Sequence, residues 1–489
     1  MCRFGVCGLS RRQFIASSTL SAAAVSTSVA ASDALKADAS IAPIKKRAAR
    51  VSVAFLYPPL EVVEAGKLED QWAKHNWSTW PGNQFQPEQQ QEKFTAEIKR
   101  MSAKIGVDVQ FLAGSLYTTD AVNKFIAQTQ KTRPDAILLV NFWNTFSKWA
   151  YQITQEVDAP AIVYHSVGAN HQLPPKDLMH AEGVYYIHSI ENWEEIDRGL
   201  RAVHTKTQLA NSRMLRVGPY GDLEEQTDPQ LGFKVLTIPA DHYNRLFDSI
   251  TVDEVIRSRA EDFAAKALRV SDVTERYLAD AFRAHETVNR LRKQYGGDAI
   301  TIKCLMLQER KPCISFSINN GALNPCGCED DFNATQTMML GRLLFERGGF
   351  QHNPEFDTSR NQYFASHCTC TTRLLGPDGP EQEFWIRPFF HQLPKTAALD
   401  VQWEPEAPVF LAKFDSETIH CWTGSVIESP TSPPTGGCAT RVLVSIDRVD
   451  DVCSIYAGPH PVLYRGTPGE AKRLRAFAKL YRIPLRGNV

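Results

Sequence analysis

Continuous apolar runs alternate with helical patterns along the first third of the chain. The runs predict buried strands at residues 51–57 (VSVAFLY), 107–112, 136–142 (AILLVNF) and 161–165. Between them, apolar side chains recur at helical spacing, as over residues 89–105. Apolar strands separated by helices are typical of a parallel sheet that is covered on both faces. We therefore predict a doubly wound α/β domain over residues 49–175.

The same alternation continues after the Pro174-Pro175 pair. Strand patterns lie at residues 184–187, 215–218, 234–238 and 299–304. The longest helical pattern between them opens at Asp272 or Thr274 and ends at Gly296-Gly297. These features predict a second doubly wound domain, over residues 176–348.

The pattern changes after Gly349. Short β-prone runs are separated by loops rich in proline, glycine and aspartate, which is typical of antiparallel strands. This predicts a third domain over residues 349–489. The predicted fold class is therefore α/β, with two doubly wound parallel-sheet domains followed by a β-rich, antiparallel C-terminal domain.

The N-terminus carries a targeting pattern. Arg11-Arg12 lies in the sequence SRRQFI, and a weakly apolar, small-residue run follows to Ala31. This predicts a twin-arginine signal peptide at residues 1–31 and a polar linker at 32–48, and hence export to the periplasm or another extracytoplasmic space. The apolar run is too short and too rich in serine and alanine to be a stable membrane span. A disordered tail that happens to contain Arg-Arg is the alternative.

The net charge and the turn after the first strand disfavour three kinds of partner. The formal net charge is −1, and loss of residues 1–31 with their three arginines makes it −4. Neither value gives the basic field that nucleic acid or an anionic membrane would require. Pro58-Pro59 stands after the first strand, where a dinucleotide-binding protein has a glycine-rich turn, so a nucleotide cofactor is disfavoured.

Side chains that can bind a metal ion or take part in catalysis are concentrated between Cys326 and Cys370. Three consecutive carboxylates, Glu329 to Asp331, precede a helical pattern, and His367 follows it. Carboxylates and an imidazole on two sides of one helix can converge on a divalent ion. Acidic residues at a helix start are also favoured by the helix dipole alone. The sequence does not choose which of the three carboxylates would be the ligand.

Cysteine usage leaves two interpretations open. Of the 11 cysteines, Cys2 and Cys7 leave with the signal peptide, so an odd number remains. The remaining thiols fit buried small hydrophobes or the surroundings of a site better than a disulfide framework. The alternative is a structural zinc site with four thiolate ligands. That site would use Cys326, Cys328, Cys368 and Cys370.

Three local patterns carry a resemblance to a known family. A Cys-x-Cys-Glu-x-Asp segment (Cys326 to Asp331) opens a helix. A Phe-Asp step ending at Asp357 precedes the pair His367-Cys368, and a near-terminal Gly-x-His ending at His460 precedes Arg-Gly and a terminal helix. With the layout of residues 49–489, these patterns resemble the L-fucose isomerase / L-arabinose isomerase superfamily, particularly its poorly characterised members.

The resemblance implies a metal-dependent aldose–ketose isomerase that acts on an open-chain sugar through an enediol. It implies a divalent ion, usually manganese, with Glu329 and Asp357 as carboxylate ligands and catalytic acid/base pair. His367 and His460 would be further ligands. The resemblance also implies a homo-oligomer, a trimer or hexamer. Two departures bear on His367 and His460: the spacing from the second carboxylate to His367 is shorter than in arabinose isomerases, and the near-terminal histidine is single.

Two other functions compete with the isomerase. The first is an exported carbohydrate-binding or carbohydrate-cleaving protein that kept the isomerase scaffold, which export favours because such isomerases normally act on cytoplasmic sugars. The second is a protein with the four-cysteine zinc site and no isomerase activity. The isomerase prediction requires Glu329, Asp357, His367 and His460 to meet in space.

Overall fold

The computed structural model describes residues 41–67, 86–166, 176–188, 190–390, 396–430, 438–446, 448–455 and 460–489. The predicted signal peptide and most of the linker lie outside the described residues. Residues Pro43–Val489 form one compact unit. In the part that is described, no helix has the length and the apolar character needed to cross a bilayer.

The first sheet is parallel throughout, with strand order β2-β1-β3-β4-β5. Its strands are β1 (Ala49–Leu56), β2 (Val107–Leu116), β3 (Ala136–Asn141), β4 (Ala161–His165) and β5 (Val184–His188). The helices are α1 (Leu60–Glu64), α2 (Pro87–Ile105), α3 (Thr119–Thr132), α4 (Ser147–Glu156) and α5 (Lys176–His180). All residues of β3 and β4 are buried, because helices cover both faces of the sheet.

Local signals set the ends of these helices. Pro87 stands at the start of α2, where its missing N–H costs nothing, and Gly106 ends the helix in the left-handed region with a φ of 86°. The Thr118 side chain accepts a hydrogen bond from the Ala121 amide and so caps α3. β5 is paired with β4, so the first sheet extends past the boundary that the sequence predicted at residue 175.

The second sheet has the order β11-β10-β6-β8-β7, and only β7 runs antiparallel to its neighbour. Its strands are β6 (Arg213–Gly218), β7 (Glu224–Thr227), β8 (Lys234–Pro239), β10 (Ala299–Ile302) and β11 (Cys326–Cys328). The helices are α6 (Glu194–Ala210), α7 (Ala240–Ser249), α8 (Glu254–Ala264), α9 (Glu275–Tyr295), α10 (Cys313–Gly321) and α11 (Phe332–Leu344). The short strand β9 (Arg269–Val270) lies outside this sheet and pairs with the strand Phe384–Arg387.

The third sheet has eight strands and is antiparallel except where β21 pairs with β18. Its strands are β12 (Phe350–Gln351), β13 (Asn353–Asp357), β14 (Gln362–His367), β17 (Pro408–Phe414), β18 (Ile419–Glu428), β19 (Thr440–Ile446), β20 (Val462–Arg465) and β21 (Leu485–Gly487). A separate small sheet joins β9 to β15 (Phe384–Arg387) and β16 (Ala398–Val401). The closing helices are α12 (Val449–Ile455) and α13 (Pro468–Leu480). The prediction of a mixed α/β chain with parallel and antiparallel sheets is confirmed.

One hydrophobic cluster joins side chains from all three large sheets. It includes Phe94 beneath the first sheet, Met214 of the second and Tyr464 of the third. Helix α11 lies within this cluster, with Met338, Met339 and Leu340 almost completely buried. A helix that is apolar on nearly all sides must be enclosed by other elements. The start of α11 is therefore held in place by packing from several directions.

Gly341 is the point of closest approach between α11 and β20. A Cβ atom added there would stand 2.5 Å from the Tyr464 ring, which is fully buried. We expect Gly341→Ala to destabilise the protein by about 1–3 kcal/mol or more, because the overpacked ring has no space to move. Gly221→Ala is the matched control, since nothing lies within 4 Å of its added Cβ. The measurement is the thermal unfolding midpoint, and equal midpoints for the two variants would contradict the prediction.

Candidate metal centre

The three consecutive carboxylates lie at the carboxyl edge of the second sheet. Glu329 directly follows β11, at the edge where open α/β sheets commonly bind ligands. Glu329 and Asp330 both adopt left-handed backbone conformations, with φ values of 62° and 58°. Two successive non-glycine residues in this region are uncommon and require support from their surroundings.

Asp330 provides that support. Its carboxylate accepts hydrogen bonds from Arg216 Nε at 2.7 Å, from Arg216 Nη2 at 3.2 Å and from the Tyr220 hydroxyl at 2.6 Å. Arg216 belongs to β6, so the turn is tied to the middle of the sheet. With its carboxylate engaged in this way, Asp330 acts as an anchor of the turn.

Asp331 links the start of α11 to His460. Its Oδ1 atom accepts from the Ala334 amide at 2.9 Å and caps the helix. Its Oδ2 atom lies 2.9 Å from both the backbone nitrogen and Nδ1 of His460. Because a carboxylate can only accept, Nδ1 carries the proton in the neutral ring, and Nε2 then has the lone pair. Histidines that bind metals are commonly oriented by a carboxylate in this way.

Glu329 faces two imidazoles. Its Oε1 lies 3.8 Å from His367 Nε2, and its Oε2 lies 3.7 Å from His460 Nε2. The two rings stand nearly perpendicular, with centroids 5.1 Å apart. His367 ends β14 and His460 precedes β20, so the third sheet supplies both imidazoles and the second sheet supplies the carboxylate. Of the three carboxylates that the sequence left open, Glu329 faces the Nε2 atoms of both imidazoles, whereas Asp331 contacts Nδ1 of His460.

Burial sets the electrostatics of this group. It lowers the pKa of His367 to about 4. Burial also raises the pKa of Glu329, and the charge of the nearby Cys328 raises it further. Burial alone would lower the pKa of His460, but the hydrogen bond and the charge of Asp331 outweigh it and raise that pKa. At pH 7 the His367 imidazole is therefore uncharged, which is the form of histidine that binds metals.

The donor set fits a divalent ion. Glu329, His367 and His460 bring ligand atoms within 4.8 Å of one another. His367 Nε2 is buried and has no hydrogen-bond partner among the described protein groups, so its lone pair is uncompensated. Two imidazoles and one carboxylate suit zinc, manganese or iron(II) and leave further coordination positions open. A cleft of about 430 Å³, lined partly by Arg216, Glu329 and His460, lies beside the group.

A second group of donors uses the same imidazole. Cys328, His367 and Cys368 also bring ligand atoms within 4.8 Å of one another, and all three are buried. The Cys368 sulfur lies 3.6 Å from His367 Nδ1, whereas Nε2 faces Glu329. His367 therefore stands between a carboxylate on one side and thiols on the other.

Asp357 does not join the predicted ligands. It ends β13 opposite Gln362, five residues along β14 from His367. At about 3.4 Å per residue, this places it roughly 17 Å from the imidazoles. Its side chain is 41% exposed, and its carboxylate accepts from Ser359 Oγ at 2.6 Å. The expectation that Asp357 is a ligand and half of the acid/base pair is wrong for this chain, because the hairpin separates it from the site.

The four cysteines of the alternative zinc site do not lie together either. Cys328 and Cys368 approach each other, but Cys326 and Cys370 lie apart from them. Cys326 is buried with its amide bonded to Asn320, and burial raises the pKa of its thiol to about 12. Cys370 contacts Trp403 and Thr440. Each excluded cysteine is two residues from an included one, which along a strand displaces it by about 6–7 Å.

One residue of the site was missed by the sequence reasoning. Gln351, in β12, accepts from the Cys328 amide at 2.7 Å and donates to the Cys328 carbonyl at 3.1 Å. Its Nε2 atom lies 3.1 Å from His460 Nδ1. Its two bonds to the Cys328 backbone join β11 to β12. A single glutamine in the segment Gly348-Gly349-Phe350-Gln351 gives no sequence signal for such a role.

Asp331→Asn is expected to weaken divalent-metal binding about 10–100-fold, the usual cost of losing a carboxylate that orients a ligand. Asparagine is an equally good helix cap, so α11 should keep its start while His460 loses an acceptor. Competition with a fluorescent chelator measures the affinity. Asp253→Asn is the control, because Asp253 caps α8 by the same type of bond, to Ile256. Equal affinities for the two variants would contradict the assignment of Asp331.

Comparisons with known proteins do not supply a family. No protein-family profile and no curated protein matches the chain. Among solved structures, a solute-binding protein of an ABC transporter from Agrobacterium vitis, bound with α-D-tagatopyranose, is 13% identical over 52% of this chain and 76% of its own, with a TM-score of 0.15. A structure described as the XylFII-LytSN complex is 10% identical over 53% and 80%, with a TM-score of 0.17. Similarities at these TM-scores carry no argument about fold or function.

Proposed function

We propose that this protein is a metal-dependent aldose–ketose isomerase-like enzyme that acts on an open-chain sugar through an enediol. The observation that carries the proposal is the convergence of Glu329, His367 and His460, three donors from distant parts of the chain, beside an open cleft. Their sequence patterns are those that resemble the L-fucose isomerase / L-arabinose isomerase superfamily. As part of the same proposal, the chain is divided into two doubly wound domains and a β-rich domain.

The roles of the residues follow from their positions. Glu329, His367 and His460 would hold a divalent ion, in this proposal manganese. Such an ion, when bound, polarises the sugar carbonyl and stabilises the developing oxyanion. In this proposal the Glu329 carboxylate takes the proton from the second sugar carbon and returns it to the first, so that one C–H bond is broken and one is formed. The hydroxyl proton moves between the two oxygens, and the product is the ketose.

A second function is favoured by one observation. Asp357 lies outside the donor group, so the pair of catalytic carboxylates implied by the resemblance is not assembled there. Two histidines and a glutamate are also the ligand set of hydrolytic zinc enzymes. An exported carbohydrate-cleaving or carbohydrate-binding protein on this scaffold is therefore the alternative. Export by the twin-arginine route and a trimeric or hexameric assembly are further parts of the proposal that rest on the sequence.

The proposal is tested by incubating the purified protein with manganese and a panel of free aldoses in deuterated water. Isomerisation through an enediol should yield ketose and carry solvent deuterium to the reacting carbon, which NMR detects. Conversion should stop after treatment with a chelator and return with added manganese. Release of reducing ends from oligosaccharides, without ketose from any aldose, would favour the alternative. Sugar binding without any conversion would favour a binding protein.

A further inference from the structure

Two buried sulfur atoms meet at the carboxyl edge of the second sheet, directly before Glu329. The sulfur atoms of Cys304 and Cys328 lie 2.8 Å apart. Both residues are buried, and neither is in a disulfide in this structure. Non-bonded carbon atoms pack at about 3.5–4.0 Å, and sulfur is a larger atom than carbon. The contact is therefore closer than the ordinary packing of two small apolar side chains.

Backbone hydrogen bonds hold the two segments side by side. Strand β10 pairs with β11 in parallel, with Ile302 opposite Cys328. Past the strand ends, the Asp330 amide donates to the Ile302 carbonyl at 3.0 Å, and Lys311 Nζ donates to the Cys304 carbonyl at 3.0 Å. The sulfur atoms of a disulfide are about 2.05 Å apart, so bond formation requires a movement of about 0.8 Å. Small side-chain rotations can supply that movement without a change in the strand pairing.

Two neighbouring cysteines are less suited to join Cys328. Cys326 lies two residues earlier on the same strand, where its amide is bonded to Asn320. Cys368 brings its sulfur within 4.8 Å of the Cys328 sulfur, but it comes from the third sheet. The contact with Cys304 is instead set by the pairing of two adjacent strands. Cys304 is therefore the partner that the backbone presents to Cys328.

We propose that Cys304 and Cys328 are an oxidation site, at which hydrogen peroxide joins the two sulfur atoms in a reversible disulfide bond. One sulfur attacks a peroxide oxygen, the O–O bond breaks, and a sulfenic acid and one water are formed. The second sulfur then forms the S–S bond, and a second water leaves. Two thiols and one hydrogen peroxide thus give one disulfide and two waters, with both sulfurs oxidised and the peroxide oxygens reduced.

The position of the pair gives the bond two consequences. Hydrogen peroxide is little larger than water, and the Glu329 side chain next to Cys328 is 32% exposed and lines the cleft. The bond would tie the end of β10 to the residue that precedes Glu329. It would also withdraw Cys328 from the donor group with His367 and Cys368, because a disulfide sulfur is not a thiolate ligand. The proposal does not depend on the isomerase activity.

The experiment treats the full-length protein with hydrogen peroxide, blocks the remaining thiols with iodoacetamide under denaturing conditions, and digests with trypsin without reduction. Mass spectrometry should find the peptide of residues 304–310 joined to that of residues 311–342, two hydrogens lighter than their sum. Fragmentation should place the link at Cys328, and dithiothreitol should release it. Cys328→Ser should lose the linked peptide. Cys326→Ser, the matched control on the same strand and the same peptide, should keep it.

Three results would overturn the proposal. The first is the absence of the linked peptide after peroxide treatment, which would leave a contact between two thiols and nothing more. The second is a link at another cysteine, either Cys313 or Cys326 within the same peptide or Cys368 in the peptide of residues 361–373. The third is an equal yield of the linked peptide from the Cys328→Ser and Cys326→Ser proteins. Fragmentation requires no substitution, so the test stands even where a cysteine variant fails to fold.

Discussion

Glu329→Gln is expected to lower aldose conversion about 10²–10⁴-fold, the usual contribution of a positioned general base. Glutamine keeps the shape of the side chain but removes both the negative charge that faces the two imidazoles and the proton acceptor. Manganese affinity should fall in parallel. Initial rates of ketose formation and a manganese titration measure the two effects.

Asp357→Asn is the matched control for that substitution. It also replaces a carboxylate by an amide, but at an exposed hairpin end where the carboxylate bonds only to nearby Ser359 and Arg360 among the groups described. We expect its conversion rate and its manganese affinity to equal those of the unmodified protein. Loss of activity in Asp357→Asn, with Glu329→Gln active, would contradict the site as the structure defines it.

Acid should destabilise the protein steeply between pH 6.5 and 4. Burial lowers the pKa of His285 from 6.5 to about 4, and that of His352 to about 3. Between the unfolded and folded values, the unfolded chain binds more protons, so stability is fully present above pH 6.5 and is lost as the pH falls. For His285 alone, the loss is about 3 kcal/mol. Denaturant unfolding at a series of pH values measures it.

His285→Gln isolates one part of this effect. The imidazole contacts Ser315 Oγ at 3.3 Å and Asn289 Nδ2 at 3.1 Å. Burial lowers its pKa, and the charge of Glu286 offsets that effect only in part because Arg259 and Arg292 oppose it. The variant should show a pH slope smaller by up to about 1.4 kcal/mol per pH unit, since one proton no longer binds on unfolding. His180→Gln, at an exposed position of α5, should leave the slope unchanged. An unchanged slope in His285→Gln would refute the assignment.

The sequence predicted β3 and β4 closely because both strands are buried along their whole length and almost entirely apolar. The predicted runs at residues 136–142 and 161–165 correspond to β3 and β4 almost residue for residue. Thr274 and Gly296 bound α9 as predicted, because a side-chain cap and a left-handed glycine are local signals. The placement of Val184–His188 in the first sheet was not predicted, since pairing with β4 is a long-range choice that the apolar pattern does not encode.

The candidate site was predicted in part. Glu329, His367 and His460 do meet, and the residues that carry the resemblance pointed to them. The prediction that Asp357 joins the site was wrong because residues that are close in sequence can lie at opposite ends of a hairpin, as Asp357 and His367 do. The contact between the Cys304 and Cys328 sulfurs was also missed, since the pairing of β10 with β11 brings them together rather than a spacing motif.

The left-handed backbone at Glu329 and Asp330 sets local torsional strain against the placement of their carboxylates. Conformations of this kind cost about 1–3 kcal/mol per residue, and glycine adopts them freely. Asp330→Gly would relieve torsional strain while removing the anchor to Arg216 and Tyr220. A glycine at position 330 would therefore exchange torsional strain for a turn that is no longer tied to β6. The aspartate keeps the neighbouring Glu329 in a fixed backbone conformation at the expense of that strain.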